Sequence, residues 1–229
     1  MASTQERDLV RRLAHAISAD TAVEGCSGQQ AIDDDDALLE KVAALPSGSS
    51  CLRIWENRNC LVTTRPIARR ENFAESAELS ARSGWPVHVR SSGGTTVIHR
   101  PGILNVSLAV AGGADRVQPN ASYSDLSALL QTALHKLHLE AFVGPVGGAY
   151  CDGNYNLCVD GRKIAGTASR IVRRKNQTAY ICHASIVIYG SPERDISLIS
   201  KFERGVGLDH IYATSSHTSL ANIMGLGPV

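Results

Sequence analysis

Asn154-Tyr155-Asn156-Leu157-Cys158-Val159-Asp160-Gly161-Arg162-Lys163-Ile164-Ala165-Gly166-Thr167-Ala168 is a strand, a turn and a strand written in one line. Asp-Gly is a dipeptide that accepts the left-handed backbone of a two-residue hairpin turn. It predicts one strand over Asn154 to Val159 and its return over Arg162 to Val172. A further strand, Ala179 to Ile188, follows a turn around Asn176. Strands joined by such short turns run antiparallel, because a parallel crossover needs a dozen or more residues.

Upstream the pattern continues. In Ile103 to Val110, Leu104, Val106, Leu108 and Val110 share one face and Asn105 and Ser107 the other, so that second face must look at something polar. Thr96 to His99 forms a strand before Pro101-Gly102, and Val87 and Val89 alternate with His88 and Arg90 ahead of a turn at Gly93-Gly94. Leu52 and Ile54, then Leu61-Val62, are short strands around a polar turn at Asn57 to Asn59. The clearest helix spans Ser124 to Leu139, where Leu126, Leu129, Leu130, Ala133, Leu134 and Leu137 recur with helical period. A short helix is expected from Thr218 to Gly225, and the acidic run Asp33 to Asp36 is placed at the N-terminus of another, ahead of Ala37, Leu38, Leu39 and Val42. The order implies an α+β fold, a mostly antiparallel mixed sheet with helices packed on it. Residues 1–30 are polar and rich in small side chains, and are expected to be loosely ordered ahead of a single domain over 31–229.

With 229 residues, 43% of them hydrophobic, the chain can bury one full core. A net charge of +1 gives no reason to expect nucleic acid as a partner. No apolar run approaches the roughly 20 residues that span a bilayer, so no membrane is expected either. Met1 to Asp20 has arginines but no apolar centre, which argues against a secretory signal and for the cytoplasm. Six cysteines, none in a Cys-x-x-Cys pair, are expected to be reduced thiols rather than disulfides or metal ligands, and no metal is expected.

Three segments carry the chemistry: Arg90-Ser91-Ser92-Gly93-Gly94-Thr95-Thr96 leading into Gly102-Ile103-Leu104-Asn105-Val106-Ser107; Tyr150-Cys151-Asp152-Gly153-Asn154-Tyr155 leading into Gly161-Arg162-Lys163-Ile164-Ala165-Gly166 and on to Arg170; and Cys182-His183-Ala184. Taken together they resemble the catalytic domain of the biotin and lipoate protein ligase superfamily. Within it they are most similar to the cysteine-dependent octanoyl and lipoyl transferases, above all the amidotransferases that draw octanoyl from glycine cleavage H protein. The resemblance covers Ala37 to Leu220 and implies the fold of that catalytic domain. It makes Cys151 the thiol that takes the acyl group as a thioester and Lys163 the ammonium that holds the acyl carbonyl. Gly93 and Gly94 would line the acyl pocket, with His99 and His183 at its edge; Arg90, Ser92, Asn105 and Gly166 complete the substrate-binding set. A thiolate beside an ammonium suits this chemistry, since the cation lowers the thiol pKa and stabilises a developing oxyanion.

Hairpin register offers a competitor. With Asp160-Gly161 as the turn, Cys158 faces Lys163 across the strands. Register alone favours Cys158 as the lysine's partner, and the resemblance favours Cys151. The resemblance further implies an acyl group moved without ATP between protein lysines, the donor and acceptor being H protein, lipoyl domains of 2-oxoacid dehydrogenases, or acyl carrier protein. No cofactor is then required beyond the octanoyl or lipoyl group itself. The alternative is an ATP-dependent lipoate ligase working through an acyl-adenylate. The ligases usually carry a third glycine where this chain has Thr95 and an Asp where it has Arg100, and often an accessory C-terminal domain, which is not expected beyond Val229. Ala184 replaces a glycine common after the histidine. Arg170 to Lys175 is read either as a solvated hairpin edge or as a face for the acidic surface of a lipoyl domain.

Overall fold

The computed structural model describes residues 2–113, 120–174 and 177–226. In chain order the elements are α1 (Thr4–Ile17), β1 (Val23–Gly25), α2 (Gly28–Val42), β2 (Ser50–Glu56), β3 (Cys60–Thr64), α3 (Arg65–Ala68), α4 (Phe73–Arg82), β4 (Val87–Arg90), β5 (Val97–His99) and β6 (Ile103–Gly113). They continue with α5 (Ala121–His135), β7 (Phe142–Gly144), β8 (Asn156–Val159), β9 (Arg162–Arg174), β10 (Gln177–Val187), α6 (Pro192–Gly205) and α7 (Leu220–Ile223). Seven strands form one sheet in the order β1-β2-β6-β10-β9-β8-β7, and three form a second, β4-β3-β5. Only β1 with β2 and β3 with β4 run parallel among the paired strands described. The fold is therefore α+β with a mostly antiparallel mixed sheet, as expected.

The pleat divides the large sheet into two unlike faces. Ile54, Leu104, Val106, Cys182, Ala184 and Ile186 face α1, α5 and α7 and join Leu9, Leu13, Leu126, Leu130 and Leu134 in the main core. The opposite face carries Arg53, Trp55, Asn105, Ser107, His183 and Ser185, all on strands in register with one another. The small sheet and α2 cover it. Asn105 and Ser107 thus meet polar partners: Ser185 donates to Asn105 Oδ1 at 2.7 Å, and Ser107 donates to Asp35 Oδ2 at 2.8 Å.

Two expectations change. Residues 4–17 form a capped helix rather than a loose segment: Ser3 and Glu6 make a reciprocal capping box, and Leu9, Val10, Leu13 and Ile17 are buried. The acidic run lies inside α2, which begins at Gly28, so its carboxylates do not cap the helix; Asp33 accepts from Gln29 within α2, and the other three reach arginines on strands. Asp35 and Asp34 pair with Arg53, and Asp36 with Arg170. Asp35 is buried, which pushes its carboxyl up to about 6 against the opposing pull of Ser107 and Arg53. Arg174 pairs with Glu40 and Arg173 is exposed, while Lys175 and the turn residue Asn176 lie outside the described residues. No helix described is long and apolar enough to cross a membrane.

Candidate active site

Between the polar face of the large sheet and the small sheet lies a cavity. Ile32, Trp55, Val62, Val97, Ile98, Ile103 and Val187 make most of its wall apolar, and its polar members include Asp35, Arg90, Asn105, His99, His183, Ser185, Lys163, His217 and Cys151. Strand geometry explains why these residues converge. Trp55, Asn105, Ser185 and Gly166 lie in one row across β2, β6, β10 and β9, so all four point the same way. Gly166 leaves room for the lysine: a Cβ there would sit 3.2 Å from Lys163 Nζ, and the side chain would have to shift by a few tenths of an ångström.

Lys163 reaches the cavity through an irregularity. Leu157 pairs with Ala165 and Cys158 with Lys163, a register shift of the kind a β-bulge makes, and it re-aims the lysine. The expected pairing of Cys158 with Lys163 is therefore present. The ammonium nevertheless turns toward the Cys151 loop, donating to Tyr150 O at 2.7 Å and Cys151 O at 2.8 Å. An ammonium has three protons, so one is left free of partners among the described residues. Burial pulls this lysine down to about 8, against the opposing effect of Cys151.

Cys151 sits in a tightly held loop. Asp152 Oδ1 accepts from Val146 N, Gly153 N and Asn156 Nδ2, while Tyr150 N donates to His217 Nε2 at 3.1 Å and its ring stacks on the imidazole. The cysteine itself adopts φ 44°, a left-handed conformation that costs a non-glycine residue about 1–3 kcal/mol and recurs at functional sites. Its thiol accepts from Thr95 N at 3.3 Å and lies 3.8 Å from Arg90 Nη2. Burial raises the thiol pKa, but Arg90, Lys163 and the Thr95 N–H outweigh it and the net shift is downward. Cys158 is shifted upward by burial, as are Cys26, Cys60 and Cys182. Among the cysteines with a shift, only Cys151 is moved toward the thiolate.

Not every expected site residue lines the cavity. Arg90, His99, Asn105, Cys151, Lys163, Gly166 and His183 do. Ser92, Gly93 and Gly94 do not: after β4 the chain folds over the Arg90 side chain, and the glycine pair serves that guanidinium. Gly93 O accepts from Arg90 Nε and Nη2, and a Cβ on Gly94 would stand 2.7 Å from Cys151 Sγ and 2.9 Å from Arg90 Nη2. Ser92 instead holds His183, with 3.1 Å between Oγ and Nε2. His99 and His183 both line the cavity, and burial lowers them to about 3 and about 4, so both rings are neutral. Thr95, Tyr150 and His217 also build the site; none of them is assigned a part in it from the sequence, and the role of Thr95 is carried by its backbone.

Residues 27–207 match the family described as the lipoyl protein ligase A/B catalytic domain. The chain belongs to that family. An octanoyl-[GcvH]:protein N-octanoyltransferase of Kyrpidia tusciae is 33% identical over 204 residues, covering 86% of this chain and 69% of that protein. One of the same name from Geobacillus kaustophilus is 30% identical over 145 residues, covering 63% of this chain and 51% of that protein, about half its length. Among solved structures, lipoate-protein ligase A bound with ATP gives a TM-score of 0.61 at 16% identity, covering 84% of this chain and 88% of that one. A bipartite lipoate protein ligase from Thermoplasma acidophilum gives 0.56 at 15% identity, over 88% of this chain and 75% of that one. At such identities the likeness is one of fold. Within the ligase family's frame, Arg100 is a buried strut: it bonds Asp195 with two nitrogens, at 2.9 and 2.7 Å, and is absent from the cavity wall. Thr95, expected to replace a third glycine of the ligases, has its N–H engaged by the Cys151 thiol.

Proposed function

We propose that this chain transfers an octanoyl or lipoyl group between protein lysines through a thioester on Cys151, without ATP. The observation that carries the reading is the thiol itself: a strained, partly buried cysteine at an apolar cavity, its sulfur between a guanidinium and a backbone N–H. A ligase that makes an acyl-adenylate has no use for such a group. The thiolate attacks the acyl carbonyl, and the free proton of Lys163 and the Thr95 N–H are placed to meet negative charge as it develops. The apolar wall takes the acyl chain, each buried methylene contributing about 0.8 kcal/mol. Expelling the donor lysine and admitting the acceptor lysine then completes two acyl transfers, with the protein acting as covalent relay.

Relatives named octanoyl-[GcvH]:protein N-octanoyltransferases support glycine cleavage H protein as donor and a protein as acceptor, for which we propose the lipoyl domains of 2-oxoacid dehydrogenases. Acyl carrier protein is a second donor by the same chemistry. We place this transfer in the cytoplasm. The test is to mix the protein with octanoylated H protein and an unmodified lipoyl domain, without nucleotide, and weigh the acceptor. Gain of one octanoyl group supports the reading. Gain only from free octanoate with ATP selects the ligase instead.

A further inference from the structure

An amide donor poses a chemical problem that Cys151 and Lys163 do not solve. A lysine nitrogen cannot leave an amide as an anion; it must be protonated as the C–N bond breaks. The acceptor lysine must lose a proton before it can attack. Both steps need a group that exchanges protons at the mouth of the site. His99 is buried in the cavity, His183, 21% exposed, has Nε2 held by Ser92 and Nδ1 turned to Asp35, and His217 uses Nε2 to accept from Tyr150 N. Burial pulls His217 down to about 4.

A fourth histidine, His210, is tied to the peptide beside the thiol through a shared carboxylate. The segment after α6 returns across the site, and there Glu203, only 1% exposed, holds three groups at once. Its Oε1 accepts from Thr96 N at 3.3 Å. Its Oε2 accepts from Tyr212 Oη at 2.6 Å and lies 3.0 Å from His210 Nδ1. The Thr96 N–H adjoins the Thr95 N–H that touches Cys151 Sγ, and successive Cα atoms are only about 3.8 Å apart. The buried carboxylate and the thiol are thus bound to consecutive peptide groups. Tyr212 packs in the same cluster as Tyr150 and Cys151. The His210 side chain is 42% exposed, its Nε2 has no partner among the described residues, and Ile211 beside it is 90% exposed, so this loop meets the solvent from which a carrier arrives.

We propose that His210, oriented by Glu203 and Tyr212, is the proton donor and acceptor for the lysine nitrogens of the two carriers. The inference rests on the transfer reading above. In the first half the Cys151 thiolate forms its C–S bond, the C–N bond of the donor amide breaks, and His210 Nε2–H delivers a proton to the departing nitrogen. In the second half neutral His210 takes a proton from the acceptor ammonium. The amine then forms its C–N bond, the C–S bond breaks, and the thiolate returns to Arg90 and the Thr95 N–H. The remaining amine proton exchanges with water in each half, so the cycle is neutral in protons.

The experiment compares two donors on full-length His210→Gln and the parent. One is a carrier domain octanoylated on lysine; the other is octanoyl-N-acetylcysteamine, whose thiolate leaves without help. Loading of Cys151 is followed by intact mass. The variant is expected to load from the thioester at the parental rate and from the amide at least about 10²-fold slower, the usual contribution of a general acid. Preloaded variant should discharge normally to hydroxylamine, which is neutral at assay pH, and slowly to lysine. Glu203→Gln should show the same split more weakly. Equal losses with both donors would make His210 merely structural and overturn the proposal, as would parental rates with both. A parent loading from the thioester but never from the amide would overturn the transfer reading itself, and the proposal with it.

Discussion

Replacing Gly94 with alanine separates two accounts of the glycine pair. The added Cβ lies 2.7 Å from Cys151 Sγ and 2.9 Å from Arg90 Nη2, well inside the roughly 3.5–4.0 Å of ordinary van der Waals separation. Gly94 also has φ +102°, a conformation side chains rarely adopt, so the variant carries about 1–3 kcal/mol of strain. A domain with about 5–15 kcal/mol of stability survives that. The chemistry suffers more. Moving the sulfur and the guanidinium apart weakens the hold of both Arg90 and the Thr95 N–H on the thiolate, and a hydrogen bond to a charged group contributes about 1.5–3 kcal/mol. With about 1.4 kcal/mol per tenfold in rate, loading of Cys151 should slow by roughly 10–100-fold for each of these hydrogen bonds that breaks. The acyl chain itself is untouched, so butanoyl and octanoyl donors should lose the same factor in single-turnover loading followed by mass. Ala168→Val, which narrows the cavity wall, should instead penalise octanoyl more than butanoyl. A Gly94→Ala defect that grows with chain length would refute this reasoning and return the glycines to the pocket wall.

Lys163→Ala should slow transfer by roughly 10²–10³, the usual effect of removing one donor to a developing oxyanion, in steady-state assays. Because burial lowers Lys163 from 10.5 to about 8, the folded chain loses this proton before the unfolded chain does. Stability should therefore rise with pH between about 8 and 10.5 as measured by urea midpoints, Lys163→Met should abolish that rise, and activity should fall above about pH 8. A substoichiometric alkylating reagent at neutral pH should modify Cys151 before Cys158 or Cys26, as peptide mapping would show; the reverse order would contradict the assigned shifts. Leu13→Ala should cost about 2–5 kcal/mol in denaturant unfolding, because this α1 side chain is fully buried; a change under about 0.5 kcal/mol would mean that the helix is peripheral.

The sheet was legible because its signals are local. Asp160-Gly161 sets a turn, both residues adopt positive φ, and the alternation in β6 puts Asn105 and Ser107 on the cavity side as read. Helices α1 and α6 had signals that composition obscured. Ser3 and Glu6 spell a capping box ahead of Leu9 and Leu13, and Ser191-Pro192-Glu193 opens α6, yet polar surface residues dominate both stretches. The acidic run misled because helix-dipole reasoning places carboxylates at an N-terminus, whereas Asp35 is held by Arg53 and Ser107 on distant strands. In the site, Cys151 and Lys163 came from the family resemblance; hairpin register alone pointed to Cys158. The bulge at β8–β9 that redirects the ammonium has no sequence mark. Thr95 acts through its backbone and Glu203 through tertiary interactions from α6, so neither could be found by residue type.

The central claim is a thioester on one particular sulfur. Parent, Cys151→Ala and Cys158→Ala should each be incubated with an octanoylated carrier in the absence of nucleotide, quenched in acid and digested for peptide mass mapping. One hydroxylamine-labile octanoyl group is expected on the Cys151 peptide of the parent and of Cys158→Ala, and none on Cys151→Ala. An adduct on Cys158, or transfer that proceeds undiminished in Cys151→Ala, would contradict the claim.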